Sequence, residues 1–476
     1  MRRKVTAEFE NWKAREDRKS LLIRGARQIG KTYSILDFAE KNYKNVVYFD
    51  FNIDESASKA FEGPLDVDSI ILGLSSVRPD VSFEPYETVL IFDEIQLCPR
   101  ARSSLKAFSQ DPRYDVMASG SLLGSELSKV PLVPVGYVDH LEMYPMDFEE
   151  FLWAIGINEG VIAHIKEKIT VRQSIGKAVH DNMMSYFSWY MLVGGMPLPV
   201  LRFSSQHTFD KARSTQNNIM QDYKDDMNRY CEDKEILKTK RCFDSLAYQL
   251  AKDNKKFTIS AIEPELSYRP SAKRYEYSIN WLIQAGLVLQ CFRVSNPNMP
   301  AEETAIGRRD QYRLDEAEDT VGEHLFKLYV FDNGLLAYMH DPSIYREVIS
   351  GNIEYNRGSL VENVIACMLH TQHRKLLYYE KTRDMEIDFI LAIDGRPTAV
   401  EVKSGRNRSC RSLNKAMERF KMRGMMLGDT DIFMDDKGVE HLPLYAAAFM
   451  DCIDPPKEID IDFNSIDKLN AEFADR

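Results

Sequence analysis

The sequence predicts a multidomain α/β protein: a parallel sheet in its first third, a helical middle, and a second α/β unit towards the C-terminus. Three observations carry this. Short apolar runs alternate with helical stretches over residues 19–145, as expected of strands buried on both faces. Residues 146–235 read as helical, broken at Gly194-Gly195-Met196-Pro197, where glycines free the backbone and proline stops a helix. Residues 326–450 return to α/β patterning. A chain of 476 residues is too long for one core, and its length suggests about three domains.

Composition narrows the function classes. Hydrophobic content of 44% and charged content of 28% exclude wholesale disorder. Met1-Arg2-Arg3-Lys4 is basic but is followed by charged residues, not an apolar run, so no signal peptide is expected. No stretch approaches the ~20 apolar residues of a membrane span. Seven scattered cysteines without a CxxC pair fit reduced thiols in a cytoplasmic protein, not a disulfide framework or a zinc site, and without a span no membrane partner is expected. The net charge of −11 opposes generic adsorption to nucleic acid. Residues 396–423 nevertheless hold nine Lys/Arg against two Glu, and the tail 451–476 holds eight Asp/Glu against three Lys/Arg. Both segments are solvated surface, or else an anion-binding patch and an acidic tail that competes for it.

The first unit spans 1–150. Its strands are expected at Leu21-Leu22-Ile23, Val46-Val47-Tyr48-Phe49, Val89-Leu90-Ile91-Phe92 and Tyr114-Asp115-Val116-Met117. Between the first strand and a helix from about Lys31 lies Gly25-Ala26-Arg27-Gln28-Ile29-Gly30-Lys31-Thr32, which matches G-x-x-x-x-G-K-[ST]. By average residue frequencies a chain of this length would contain the pattern by chance in about one case in fifty. Glycines let successive N–H groups converge on phosphate oxygens, and the new helix adds its unpaired N–H groups and positive dipole end. Lys31 is expected on the β- and γ-phosphates and Thr32 on Mg²⁺. Asp93 and Glu94 end the third strand. Asp93 is expected to hold Mg²⁺ through water, and Glu94 to orient and deprotonate the attacking water. Ser119, at the end of the fourth strand, is placed for the γ-phosphate or that water. The expected cofactors are ATP and Mg²⁺.

The middle divides into a helical lid or connector, 151–235, and a winged-helix-like module, 236–300. In the latter, helical patterns run over Cys242–Ala251 and Ala272–Ala285, and extended chain begins at Leu287-Val288-Leu289. Arg269, Lys273 and Arg274 lie where a DNA-reading helix places cations, although such modules also serve structural or protein-binding roles. Residues 295–320 read as a linker.

Three segments of the C-terminal unit, 315–450, have the order of a restriction-endonuclease-like core. A helix from Ser359 carries Glu362, a strand Met385–Ile390 carries Glu386 and Asp388, and after an Asp394-Gly395 turn a strand carries Glu401 and Lys403. Alternation puts Glu401 and Lys403 on one face, and Glu386 and Asp388 on one face of the facing strand. Asp388 and Glu401 are thus expected to point at one metal, with Lys403 beside the scissile phosphate. Ser359-Leu-Val-Glu362 is also a capping box, which alone could account for Glu362. Cys367, His370 and His373 read as a helix end.

Several segments together resemble a family. They are residues 25–32, Asp93-Glu94-Ile95-Gln96, residues 119–124, residues 141–151, Val193-Gly194-Gly195-Met196-Pro197, residues 327–336, Glu386-Ile387-Asp388-Phe389 and Glu401-Val402-Lys403-Ser404-Gly405. The chain is similar over about residues 10–425 to the bacterial and archaeal AAA-type ATPases with a restriction-endonuclease-like C-terminal domain of unknown function. The resemblance implies an AAA-type core, a winged-helix middle and a PD-(D/E)xK-like end. It assigns Gly25, Gly30, Lys31 and Thr32 to Walker A, Asp93 and Glu94 to Walker B, and Glu362, Asp388, Glu401 and Lys403 to the nuclease-like set. It also implies homo-oligomers. Tyr137 departs from the pattern, since the family usually has a basic residue after Gly136. If that cation senses the γ-phosphate or a neighbouring subunit, hydrolysis is expected to be slow. Arg102 and Arg113 are candidate arginine fingers by position. The expected function is a Mg²⁺-dependent ATPase coupled to a nuclease-like domain acting on DNA or RNA. The alternative is a nucleotide-gated regulator or scaffold whose nuclease-like domain binds nucleic acid or protein without cutting.

Overall fold

The computed structural model describes residues 1–121, 136–252, 255–265, 272–294, 296–297, 326–350, 357–381, 384–405 and 410–455. Arg269 and nearly all of the linker and of the acidic tail lie outside them.

The N-terminal sheet has five parallel strands: β1 (Ser20–Gly25), β2 (Asn45–Asp50), β3 (Thr88–Asp93), β4 (Asp115–Ser121) and β5 (Val138–Glu142), in the order β2-β3-β4-β1-β5. Alternation along each strand divides its apolar run between two layers. Leu21, Ile23, Val89, Ile91 and Met117 enter one core, with Ile35 and Phe38 of the helix Lys31–Asn42. Leu22, Leu90, Phe92, Val116 and Ala118 enter another, with Leu105 and Phe108 of the helix Pro99–Gln110. Helices on both faces explain why the runs are continuously apolar.

The middle is helical from Phe148 to Leu250. The helix Phe148–Ala154 starts in a capping box. Asp147 accepts from the Glu150 N–H at 2.9 Å, and the Asp147 N–H donates to Glu150 at 3.0 Å. The long helices Lys177–Val193 and Phe209–Tyr230 follow. The break at Gly194-Gly195 is a close-approach site, because a Cβ on Gly195 would collide with the Met146 carbonyl. Its N–H donates to buried Asp332 at 2.7 Å.

After the helix Ile236–Leu250, a short 3₁₀ turn leads into the helix Glu276–Gln284 and the hairpin of β6 (Val288–Arg293) with β7 (Phe326–Val330). The sequence pattern assigned Phe326–Val330 to the C-terminal unit, but it pairs with the middle. A parallel bridge from β6 to β8 (Leu377–Lys381) joins that hairpin to β9 (Met385–Ile387). The last sheet comprises β10 (Phe389–Ile393), β11 (Arg396–Val402), β12 (Arg423–Gly428), β13 (Phe433–Met434) and β14 (Val439–Pro443), in the order β10-β11-β12-β14-β13. The tight turn at Asp394-Gly395 has both residues at positive φ (52° and 70°), as a two-residue hairpin demands.

One apolar core runs without interruption from Phe9 through Phe148, Tyr190, Leu335 and Val364 to Phe449. The units are therefore packed against each other rather than strung on hinges. No helix among the described residues is long and apolar enough to cross a membrane.

Candidate functional site

The loop Gly25–Gly30 leaves β1 and opens the helix Lys31–Asn42. Gly30, at φ 91°, stands at its N-cap without a side-chain cap, so the helix's first N–H groups face outward with its dipole. Gln28 is also left-handed (φ 63°). Buried Ala26 and Ile29 anchor the loop. The Lys31 ammonium folds over it, donating to the Gly25 and Ala26 carbonyls at 3.0 and 2.8 Å. Burial pulls that ammonium down to about 8, against the pull of Glu94 and Asp93.

Asp93, at the end of β3, is the hub of the floor. Its Oδ2 accepts from Thr32 Oγ1 at 2.7 Å and from the Tyr48 hydroxyl at 3.0 Å, and its Oδ1 accepts from the Ser119 hydroxyl. Glu94 follows in left-handed conformation (φ 51°), an unusual backbone for a non-glycine residue and one that concentrates at functional sites. Its carboxylate accepts from the Gln96 side chain. The approach of Gln96 also explains Gly120, where a Cβ would crowd the Gln96 amide at 2.8 Å.

A cavity of about 820 Å³ opens beside these groups, lined by Arg27, Gln28, Gly30, Lys31, Thr32 and Glu94 on one wall. The size is that of a small-ligand site. The facing wall comes from the helix Phe209–Tyr230. There Asp226 pairs with Arg27, Asp222 accepts from Gln28 at 2.7 Å, and Arg229 borders the space. Tyr223 of the same helix donates to the Arg27 carbonyl at 2.8 Å. From behind, buried Arg3 donates to the Ile29 carbonyl (2.8 Å), the Tyr144 carbonyl (2.8 Å) and Glu150 (3.0 Å). The residues fit a phosphate chain and a hard cation: outward N–H groups and an ammonium for one, hydroxyl and carboxylate oxygens for the other.

The remaining predicted residues fall as follows. Tyr137 lies at the N-terminal edge of the sheet, where Ser20 pairs with Val138, at the opposite end of β1 from the loop. Residue 137 is thus placed away from this chain's own phosphate loop. Arg102 is buried within the chain, and Arg113 is paired with Asp111 and Asp68. Arg274 is engaged by Glu263, which also binds Arg241.

In the C-terminal unit the helix starts at Arg357, not Ser359. Glu362 does not turn back as a capping box would require. Its Oε1 takes Lys327 at 3.0 Å and the Tyr329 hydroxyl, while Oε2 takes Lys255. Burial would raise its carboxyl, but the two ammonium groups hold it down at about 2. The strand predicted over Met385–Ile390 is divided at Asp388, where the chain passes from one sheet to the next. Glu386 and Asp388 thus belong to no single strand, although both act on the buried Lys327 ammonium. Glu386 is 41% exposed and lies 3.2 Å from Lys327. Asp388 is enclosed and accepts from the Val402 N–H at 2.8 Å. Burial, with Glu362 nearby, pushes its carboxyl up to about 7. Glu401 pairs with Lys403. Among the described residues Glu362, Asp388 and Glu401 do not bring three ligand atoms within 4.8 Å of one another. Cys367 donates to the Val330 and Phe331 carbonyls, and His370 and His373 pack edge-on against Tyr144.

Sequence reading missed Arg3, Tyr48, Asp222, Asp226, Arg229, Lys255, Lys327 and Tyr329. Only Lys327 had a local signal, a lysine inside the apolar run Phe326–Phe331.

Residues 17–152 match a family model described as an AAA domain. Residues 184–343 and 357–445 match two domains of unknown function, DUF8612 and DUF4143. No curated protein matches. Among solved structures, the Walker-type ATPase PABY2304 of Pyrococcus abyssi aligns at 12% identity and TM-score 0.40, covering 71% of this chain and 95% of that one. The RuvB Holliday-junction branch-migration motor of Thermotoga maritima aligns at 14% and 0.26, covering 61% and 85%. The Orc1 protein of Aeropyrum pernix, solved with DNA, aligns at 12% and 0.27, covering 73% and 90%. The chain thus carries an AAA-type ATPase domain followed by two domains of unknown function.

Proposed function

We propose that the protein binds ATP with Mg²⁺ between the Gly25–Thr32 loop and the helix Phe209–Tyr230, and hydrolyses it. The carrying observation is the convergence of Thr32 and Ser119 on Asp93, on the floor of a cavity bordered by Lys31 and Glu94. On this reading the outward N–H groups at Gly30 and the Lys31 ammonium hold the phosphates. Thr32 and Asp93 hold the cation, which when bound would offset phosphate charge. Glu94 accepts a proton from the attacking water. Measuring phosphate release with and without Mg²⁺, for the wild type and Glu94→Gln, tests it. Equal turnover by the two proteins would refute the assignment.

For the C-terminal domain the topology helix–β8–β9/β10–β11–helix–β12 supports the nuclease-like reading. The helix Glu276–Gln284 followed by the β6–β7 hairpin supports a winged-helix-like module. The ion pairs favour the non-cutting alternative: Glu362 is already countered by Lys255 and Lys327, and Glu401 by Lys403. On that reading ATP gates a binding surface for nucleic acid or protein. Incubation with DNA and RNA in Mg²⁺ or Mn²⁺ decides. Salt-sensitive binding without products supports the gate, and products that vanish in Asp388→Ala establish a nuclease.

A further inference from the structure

Away from both sites, three chemically distinct side chains converge on one face of the last sheet. Cys410 sits just before the helix Arg411–Phe420, Asp435 in the turn between β13 and β14, and His441 on β14. One ligand atom from each lies within 4.8 Å of the others. Cys410 and His441 are 9% and 4% exposed. We propose that Cys410, Asp435 and His441 bind a zinc-class divalent metal ion.

The local structure orients each donor. Asp435 spends Oδ1 on the Lys437 and Val439 N–H groups, both at 2.9 Å. Its Oδ2 is left 3.2 Å from His441 Nε2. The His441 ring stacks on Phe433 at 4.3 Å, nearly parallel (11°), which fixes its plane. Its Nε2 faces Asp435 and is the nitrogen that would ligate, while Nδ1, on the other side of the ring, is enclosed. A second soft atom, Met426 Sδ, lies 3.7 Å from Cys410 Sγ, and Met426 is in register with His441 across β12 and β14.

The donor set selects the ion. Thiolate, imidazole and carboxylate together suit Zn²⁺, whereas Mg²⁺ and Ca²⁺ take oxygen ligands. Three protein ligands leave a fourth position open. A catalytic cysteine fits less well. Burial and the carboxylates of Glu401 and Asp435 raise the thiol, against Lys403 and Lys437, which lower it, so the thiol keeps its proton in the metal-free protein. A bound metal displaces that proton instead.

The test uses the full-length protein and Co²⁺ as an optical probe, without nucleotide. Cobalt held by oxygens at the P-loop gives no sulfur-to-metal charge-transfer band, so the two sites are distinguishable. A near-ultraviolet thiolate–cobalt band saturating at one equivalent is expected, displaced by Zn²⁺. The band should disappear in Cys410→Ser and in His441→Gln, and persist in Cys452→Ser. If one variant fails to fold, as judged by circular dichroism, the other reads the same quantity. Absence of the band in the wild type, or its survival in either folded variant, overturns the proposal.

Discussion

Lys31 is a buried ammonium whose charge is needed only when an anion arrives. Burial lowers it to about 8 in the ligand-free protein, below the ~10.4 of a free side chain. The sign follows directly. A phosphate beside it favours the charged form, so binding takes up a proton wherever the free protein has lost one. With a value near 8, the protonated fraction is about 0.9 at pH 7, about 0.5 at pH 8 and about 0.09 at pH 9. If only the ammonium binds, apparent affinity scales with that fraction. The dissociation constant for Mg²⁺-ATP should therefore rise about tenfold between pH 7 and pH 9, about twofold of it below pH 8 and about fivefold above. Isothermal titration calorimetry in buffers of different ionisation enthalpy measures both the affinity and the proton uptake. Lys31→Arg, always charged, should give weaker binding with a flat profile. A wild-type profile that is flat, or that Lys31→Arg reproduces, would refute the assignment of this ammonium to the phosphates.

Three further outcomes follow from the geometry. Glu94→Gln should retain ATP binding while turnover falls about 10²–10⁴-fold, the range for losing a general base, as read by paired binding and phosphate-release assays. Lys327→Met should destabilise the protein by about 3 kcal/mol, because Glu362 stays buried with half its positive partners gone; Lys327→Met with Glu362→Gln should recover much of that loss in urea unfolding. Burial lifts Asp332 from 3.8 to about 6 although backbone N–H groups oppose the rise. Its stabilising contribution is therefore full below about 4 and lost as pH rises through about 6. The unfolding free energy of the wild type relative to Asp332→Asn should grow by up to about 3 kcal/mol as pH falls from 8 to 4, and a constant difference would remove Asp332 as its source.

What could be read in advance depended on how local the chemistry is. The phosphate loop is contiguous, and its residues act through backbone N–H groups and one adjacent ammonium, so spacing alone placed it. The continuous apolar runs marked four strands because both faces are covered. Strand β5 reads Val-Asp-His-Leu-Glu and escaped notice because it forms the sheet edge, where polar residues meet solvent. The cavity's second wall was invisible because Arg27 and Asp226 are 199 positions apart, and no periodicity links them. The capping-box alternative for Glu362 fell for the same reason. A local capping partner was the simplest account, and the partners that prevailed, Lys255 and Lys327, come from other elements.

The phosphate loop is held from both sides by residues outside its own motif, and this determines how its state can reach the rest of the chain. On one side, Asp222, Tyr223 and Asp226 of the long helix contact Gln28 and Arg27. An arriving anion competes with those carboxylates for the same cation and amide. On the other side, Arg3 ties the Ile29 carbonyl to the Tyr144 carbonyl and Glu150. The ring of Tyr144 rests on His370 and His373, at the end of the helix whose other half carries Glu362. Because one apolar core fills the space between these contacts, close packing resists gradual deformation, and a shift at the loop is taken up at the polar contacts instead. If nucleotide state is coupled to the C-terminal domain as proposed, Arg27–Asp226 and Arg3–Tyr144 are the polar contacts through which it would pass. A coupling energy between them, measured as a double-mutant cycle on ATP affinity, is the physical form that such communication must take.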